Sequence, residues 1–123
     1  MKQYSFEKLD VWKLAKDFTI KIYKVTQHFP EIEKFGLVSQ LRRAAVSVSS
    51  NISEGSSRKG KKDQANFYVY AYSSSIEIIN QLIISKELGF IDDETYTELR
   101  SDLELITTKL NRLHKSRTQH SNE

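Results

Sequence analysis

A chain of 123 residues with 38% apolar and 28% charged side chains suits one domain of thin elements that each bury a single stripe. The absence of cysteine excludes disulfides, thiol catalysis and zinc-finger sites. The net charge of +3 conceals a split, because residues 71–108 carry two basic and eight acidic side chains, a balance of −6 that leaves +9 elsewhere; one basic and one acidic surface are expected, suited to self-assembly or a polyanionic partner.

The opening MKQYSFEKLD lacks a basic segment followed by an apolar run, and nowhere do about 18 apolar residues run together. A soluble, cytoplasmic protein with no membrane association is expected. One proline and four glycines leave long stretches between breakers, which points to helices. The first carries Val11, Leu14, Phe18, Ile22, Val25 and Phe29 at steps of three or four, widened by Trp12, Ala15 and Tyr23, and predicts an amphipathic helix ended by Pro30. Glu31 to Gly36 supply the connection. A second helix is predicted from about Lys34 to Ser57, with a face of Leu37, Leu41, Ala44, Ala45, Val48 and Ile52 whose small side chains admit a close neighbour.

Gly55 and Gly60 bracket a run from Ser56 to Lys62 that reads as a basic loop. The third helix places Ala65, Val69, Tyr72, Ile76, Ile79 and Ile83 on one stripe, with Tyr68, Ala71, Ile78 and Leu82 beside it. Gly89 predicts a left-handed C-terminal cap with Phe90 and Ile91 folding back. Asp92, Asp93 and Glu94 then offer an N-cap and negative charge to a fourth helix, whose stripe is Tyr96, Leu99, Leu103, Ile106, Leu110 and Leu113. Short connections force antiparallel neighbours, so the fold class expected is all-α, an antiparallel up-down-up-down four-helix bundle over residues 1–117 with a polar tail at 118–123.

No enzyme chemistry emerges. Di-iron bundles need Glu-x-x-His pairs, and none of His28, His114 and His120 has Glu three residues earlier; all three read as surface histidines. Arg112, His114, Arg117 and His120 do not fit the arginine-to-histidine spacing of RNA-cleaving bundles, and the Gly55 to Gly60 stretch lacks the lysine-serine ending of a phosphate loop. No catalytic residue, metal ligand or cofactor is expected.

Three polar features remain. Gln40, Arg43, Ser47, Asn51 and Glu54 step by three, four, four and three, so they share one shoulder of the second helix, and a polar network between helices or subunits competes there with an ordinary solvated surface. If the second and third helices reverse near residue 60, Arg43 and Glu77 stand at the same height, which predicts a charged hydrogen bond between them. The second feature is Arg58, Lys59, Lys61 and Lys62, and the third is Lys109, Arg112, Lys115 and Arg117. In the expected topology both basic groups sit at one end of the bundle, either as solvated helix ends or as a phosphate-gripping face with little base specificity. Tyr68 and Tyr70, near that end, are candidates for stacking on bases as well as for core packing.

FEKLDVW at residues 6–12, HFPEIEKFGLVSQLRRAAVSVSSNISEG at 28–55 and SSSIEIINQLIISKELGFI at 73–91 resemble the four-helix-bundle family encoded by intervening sequences in bacterial 23S rRNA genes. The motif running from Gln40 through Arg43, Ser47, Asn51 and Glu54 to Gly55 is the polar row already noted. The resemblance implies a homopentameric ring and a kinship with accessory proteins of diversity-generating retroelements, which bind nucleic acid and a reverse transcriptase. Ser47-Val48-Ser49 replaces the Ser-Ile-Pro often found in the family, and without that proline the second helix is expected to run straighter. A non-enzymatic, oligomeric RNA- or DNA-binding accessory protein is expected; the alternative is a ring-forming module that docks a protein partner through its acidic third and fourth helices.

Overall fold

The computed structural model describes residues 1–118, among which four α-helices account for most of the chain. Helix α1 spans Asp10–Thr26 and buries Val11, Ala15, Phe18 and Ile22. A 3-10 turn at Ser5–Lys8 precedes it, with Phe6 edge-on to Trp12 at 5.0 Å. The chain turns before Pro30 and makes a second 3-10 turn at Glu31–Glu33, so α2 begins at Leu37, three residues later than expected, and runs to Ser57. Helices α3 and α4 span Lys61–Glu87 and Asp93–Thr118. The latter extends one residue past the predicted domain limit; the remainder of the predicted tail, with His120, lies outside the described residues.

Side-chain pairs fix the topology. Arg42 Nε donates to Thr26 Oγ1 at 2.9 Å and Thr19 Oγ1 lies 3.1 Å from the Ala45 carbonyl, so α1 and α2 run in opposite directions. Ser47 and Ser74 hydroxyls meet at 2.9 Å and Gln81 reaches Gln40 at 3.4 Å, reversing α3 on α2. Gln64 with Arg117 and Lys86 with Asp93 do the same for α3 and α4. Lys21 with Asp102 and Lys109 with Asp10 close α4 onto α1. Each helix therefore has two antiparallel neighbours, with α1 opposite α3 and α2 opposite α4 across the core.

Two glycines carry geometry. Gly55 is a buried residue of α2: a Cβ there would stand 2.7 Å from Tyr68 Cε1 and 2.9 Å from Phe67 Cβ, so its missing side chain admits α3. Gly89 has φ +78°, and the bonds from Phe90 N to Ser85 O and Gly89 N to Lys86 O form the predicted left-handed cap. Asp92 Oδ1 then accepts from Thr95 N at 2.7 Å and starts α4.

Three expectations are corrected. The basic loop shrinks to Arg58–Gly60, and Lys61 and Lys62 form the first turn of α3. Gly55 serves packing rather than breaking, and consecutive lysines on a helix point in different directions instead of colliding. Secondly, Val69, Ile76 and Ile83 are exposed at about two-fifths of their surface, and the inward stripe of α3 is Ala65, Tyr68, Ala71, Ser75, Ile78, Leu82 and Ser85. Serines fit this tight face because Ser75 and Ser85 return their hydroxyls to the carbonyls four residues back, at 3.0 and 2.8 Å. Thirdly, Arg43 and Glu77 form no bond. Their heights match, as the Ser47–Ser74 pairing shows, but Arg43 turns outward and Glu77 accepts instead from Gln81 Nε2 at 3.0 Å.

Candidate nucleic-acid interface

Helix α3 starts and helix α4 ends on the same side of the molecule, and the seam between them opens into a cleft of about 740 Å³. Lys61 and Lys62 stand on one wall with Asn66, and His114 and Arg117 on the other. Gln64 braces the mouth: its Nε2 donates to the Arg58 carbonyl at 2.7 Å, and its Oε1 accepts from Arg117 Nε at 2.6 Å. Arg117 is thereby held half-buried. Among the described residues no carboxylate pairs with Lys61, Lys62 or Arg117.

The permanently charged side chains that line the cleft, Lys61, Lys62 and Arg117, are all cationic. Gly60 has no side chain to cap α3, so the first-turn amides and the helix dipole add roughly half a positive charge. The terminal carbonyls of α4 oppose with about the same magnitude, which leaves the side-chain cations to decide the sign.

The remaining basic candidates divide. Arg58 lies 3.9 Å from Asp63 and 4.7 Å above the Phe67 ring, at the rim. Lys59 and Lys115 are exposed near the same end. Lys109 is engaged by Asp10 at 2.8 Å, a hydrogen bond that holds the Asp10 carboxyl below its usual range, and Arg112 shares that α1–α4 depression. Of eight predicted residues, three line the cleft, three surround it and two face elsewhere. Gln64 and Asn66 are absent from the sequence expectations and His114 enters them only as a surface histidine; the three-residue step from His114 to Arg117, which puts both on one helix face, is the available signal. Tyr68 is core, 1% exposed, whereas Tyr70 is exposed and edge-on to Phe67 at 5.8 Å.

The polar row of α2 follows the α2–α3 seam. Asn51 Nδ2 donates to the Ser47 carbonyl at 2.8 Å and lies 3.0 Å from its hydroxyl, which meets Ser74. Gln81 is buried between Gln40 and Glu77, and its Oε1 has no hydrogen-bond partner among the described residues. Glu54 is exposed.

Residues 7–112 match the family described as 23S rRNA-intervening sequence protein. The chain belongs to that family. A solved structure from Bacteroides thetaiotaomicron, described as a protein with unknown function from the S23 ribosomal protein family, is similar at a TM-score of 0.77 and 23% identity, covering 85% of this chain and 98% of that one. At that identity the likeness concerns the fold alone. No curated protein matches the chain. No helix among the described residues of this family member is long and apolar enough to cross a membrane.

Proposed function

We propose that this intervening-sequence protein is a non-enzymatic, oligomeric accessory protein that binds RNA or DNA through its basic end. The observation that carries the reading is the convergence of Lys61, Lys62 and Arg117 on one cleft without a carboxylate partner among the described residues. Three unpaired cations in a concave site attract phosphates and release condensed counterions, which supplies affinity with little sequence preference.

Assembly is assigned to the α2–α3 seam. Tyr70, Glu77, Ile84 and Leu88 share the α3 face that flanks Gln81, and the three apolar members are 40–56% exposed. Arg43, on the adjoining shoulder of α2, is exposed and has no ion-pair partner among the described residues, and the buried Gln81 oxygen has no hydrogen-bond partner among them. A second copy would cover this apolar surface and give Arg43 a carboxylate, in keeping with the pentameric ring that the family resemblance implies.

Docking of a protein partner at the opposite, acidic end is the second reading. It is favoured by Ile32 and Phe35, 86% and 88% exposed, beside Glu31 and Glu33. It is weakened on α4 itself, where Glu98 and Asp102 are occupied by Lys21 and Glu104 by Arg100.

Light-scattering mass measured with and without a generic single-stranded RNA, at low and high salt, tests the first reading. The expected result is an oligomer that gains mass with RNA at about 50 mM salt and loses it at about 200 mM. An oligomer indifferent to RNA at low salt transfers the role to a protein partner.

A further inference from the structure

Beside the basic cleft, on the outer seam of α3 and α4, lies a slot of about 130 Å³ lined by Tyr68, Val69, Tyr72, Leu110, Asn111 and His114. His114 lines both spaces, so cleft and slot share a wall. We propose that the two form one site for single-stranded nucleic acid, in which Lys61, Lys62 and Arg117 hold a phosphate and the slot takes the adjacent base, turned out of the strand. This deepens the nucleic-acid reading above and rests on it.

Size selects the occupant. An apolar cavity of about 150 Å³ is known to accept a benzene ring, so the slot matches one six-membered ring and is too small for a whole nucleotide. A pyrimidine fits this limit better than a purine. The lining suits a base as well, since the half-buried Tyr72 and His114 rings offer π-surfaces for stacking. Asn111 is exposed and carries both a donor and an acceptor for a base edge. Burial pushes the Tyr68 hydroxyl up from its usual range against the opposing charge of Arg117. A base paired in a duplex presents neither its faces nor its pairing edge to such a slot, and extruding it costs free energy that a single strand does not incur. The site therefore distinguishes single strands from duplexes although its phosphate contacts are common to both.

The test uses fluorescence anisotropy at low salt with three labelled probes of equal phosphate number: oligouridine, a fully abasic strand and a blunt duplex. The expected result is at least tenfold tighter binding of oligouridine than of the other two. Val69→Phe fills the slot from an already exposed position, and circular dichroism checks that it folds; Asn111→Leu is a second variant that leaves the core untouched. Each is expected to remove the oligouridine advantage while leaving abasic binding unchanged. In competition, uridine 5′-monophosphate should displace oligouridine at lower concentration than adenosine 5′-monophosphate, and equal displacement overturns the pyrimidine assignment. Equal binding of all three probes, or an oligouridine advantage that survives both variants, overturns the slot while leaving the basic interface standing. Failure of every probe to bind at low salt defeats the nucleic-acid reading itself.

Discussion

Gly55 shows how one residue decides whether two helices can meet. Alanine there gains helix propensity of up to about 1 kcal/mol but drives a methyl against the Tyr68 ring and Phe67 Cβ, an overpacking that costs about 1–3 kcal/mol. Gly55→Ala should therefore be less stable, by up to about 2 kcal/mol, in urea unfolding, and a neutral or stabilising result would mean that Tyr68 moves aside easily. Asp92 acts through charge. Its carboxylate accepts from the Thr95 amide, which lowers its pKa on folding, so its contribution is present above the unfolded value near 3.9 and is lost as pH falls through the depressed folded value. The melting-temperature advantage of wild type over Asp92→Asn should shrink from pH 5 downwards; an advantage constant to pH 2 contradicts the cap's charge.

At the scale of the element, legibility followed how one-sided each helix is. Helix α4 was readable because Leu99, Leu103, Ile106 and Leu110 are apolar on a face whose flanks are charged, and those four are buried as expected. Helix α3 misled because apolar residues occur nearly all round it, while its tightest inward positions, Ser75 and Ser85, look polar. A residue alphabet does not say which neighbour presses closest, and Gly55 on the partner helix settles that. The Arg43–Glu77 expectation failed for a related reason: sequence spacing sets height along a hairpin but not the direction of a long side chain, and Gln81 stands one turn from Glu77 on its own helix. The proposed assembly through the exposed Tyr70, Glu77 and Ile84 row makes Ile84→Lys informative. Its side chain is 40% exposed, so the monomer should fold with unchanged helicity while the oligomer dissociates; a variant that keeps its wild-type mass removes α3 from the subunit contact.

At the scale of the whole molecule, charge and topology combine into something neither contains alone. The sequence revealed two basic groups and predicted their common end, but the cleft needed Lys61 and Lys62 to be helical and Arg117 to be braced by Gln64, which lies 53 residues away. Lys109, equally basic in sequence, is withdrawn from that surface by Asp10.

The most direct measurement compares binding of a single-stranded RNA to wild type and to Lys61→Gln/Lys62→Gln/Arg117→Gln across salt concentration. Each phosphate contact on a single strand contributes about 0.7 to the slope of log affinity against log salt, so the triple variant should bind at least tenfold more weakly at low salt, with a slope shallower by about 2. Unchanged affinity and slope, in a variant that folds and assembles normally, would place nucleic-acid binding elsewhere and contradict the basic cleft as its seat.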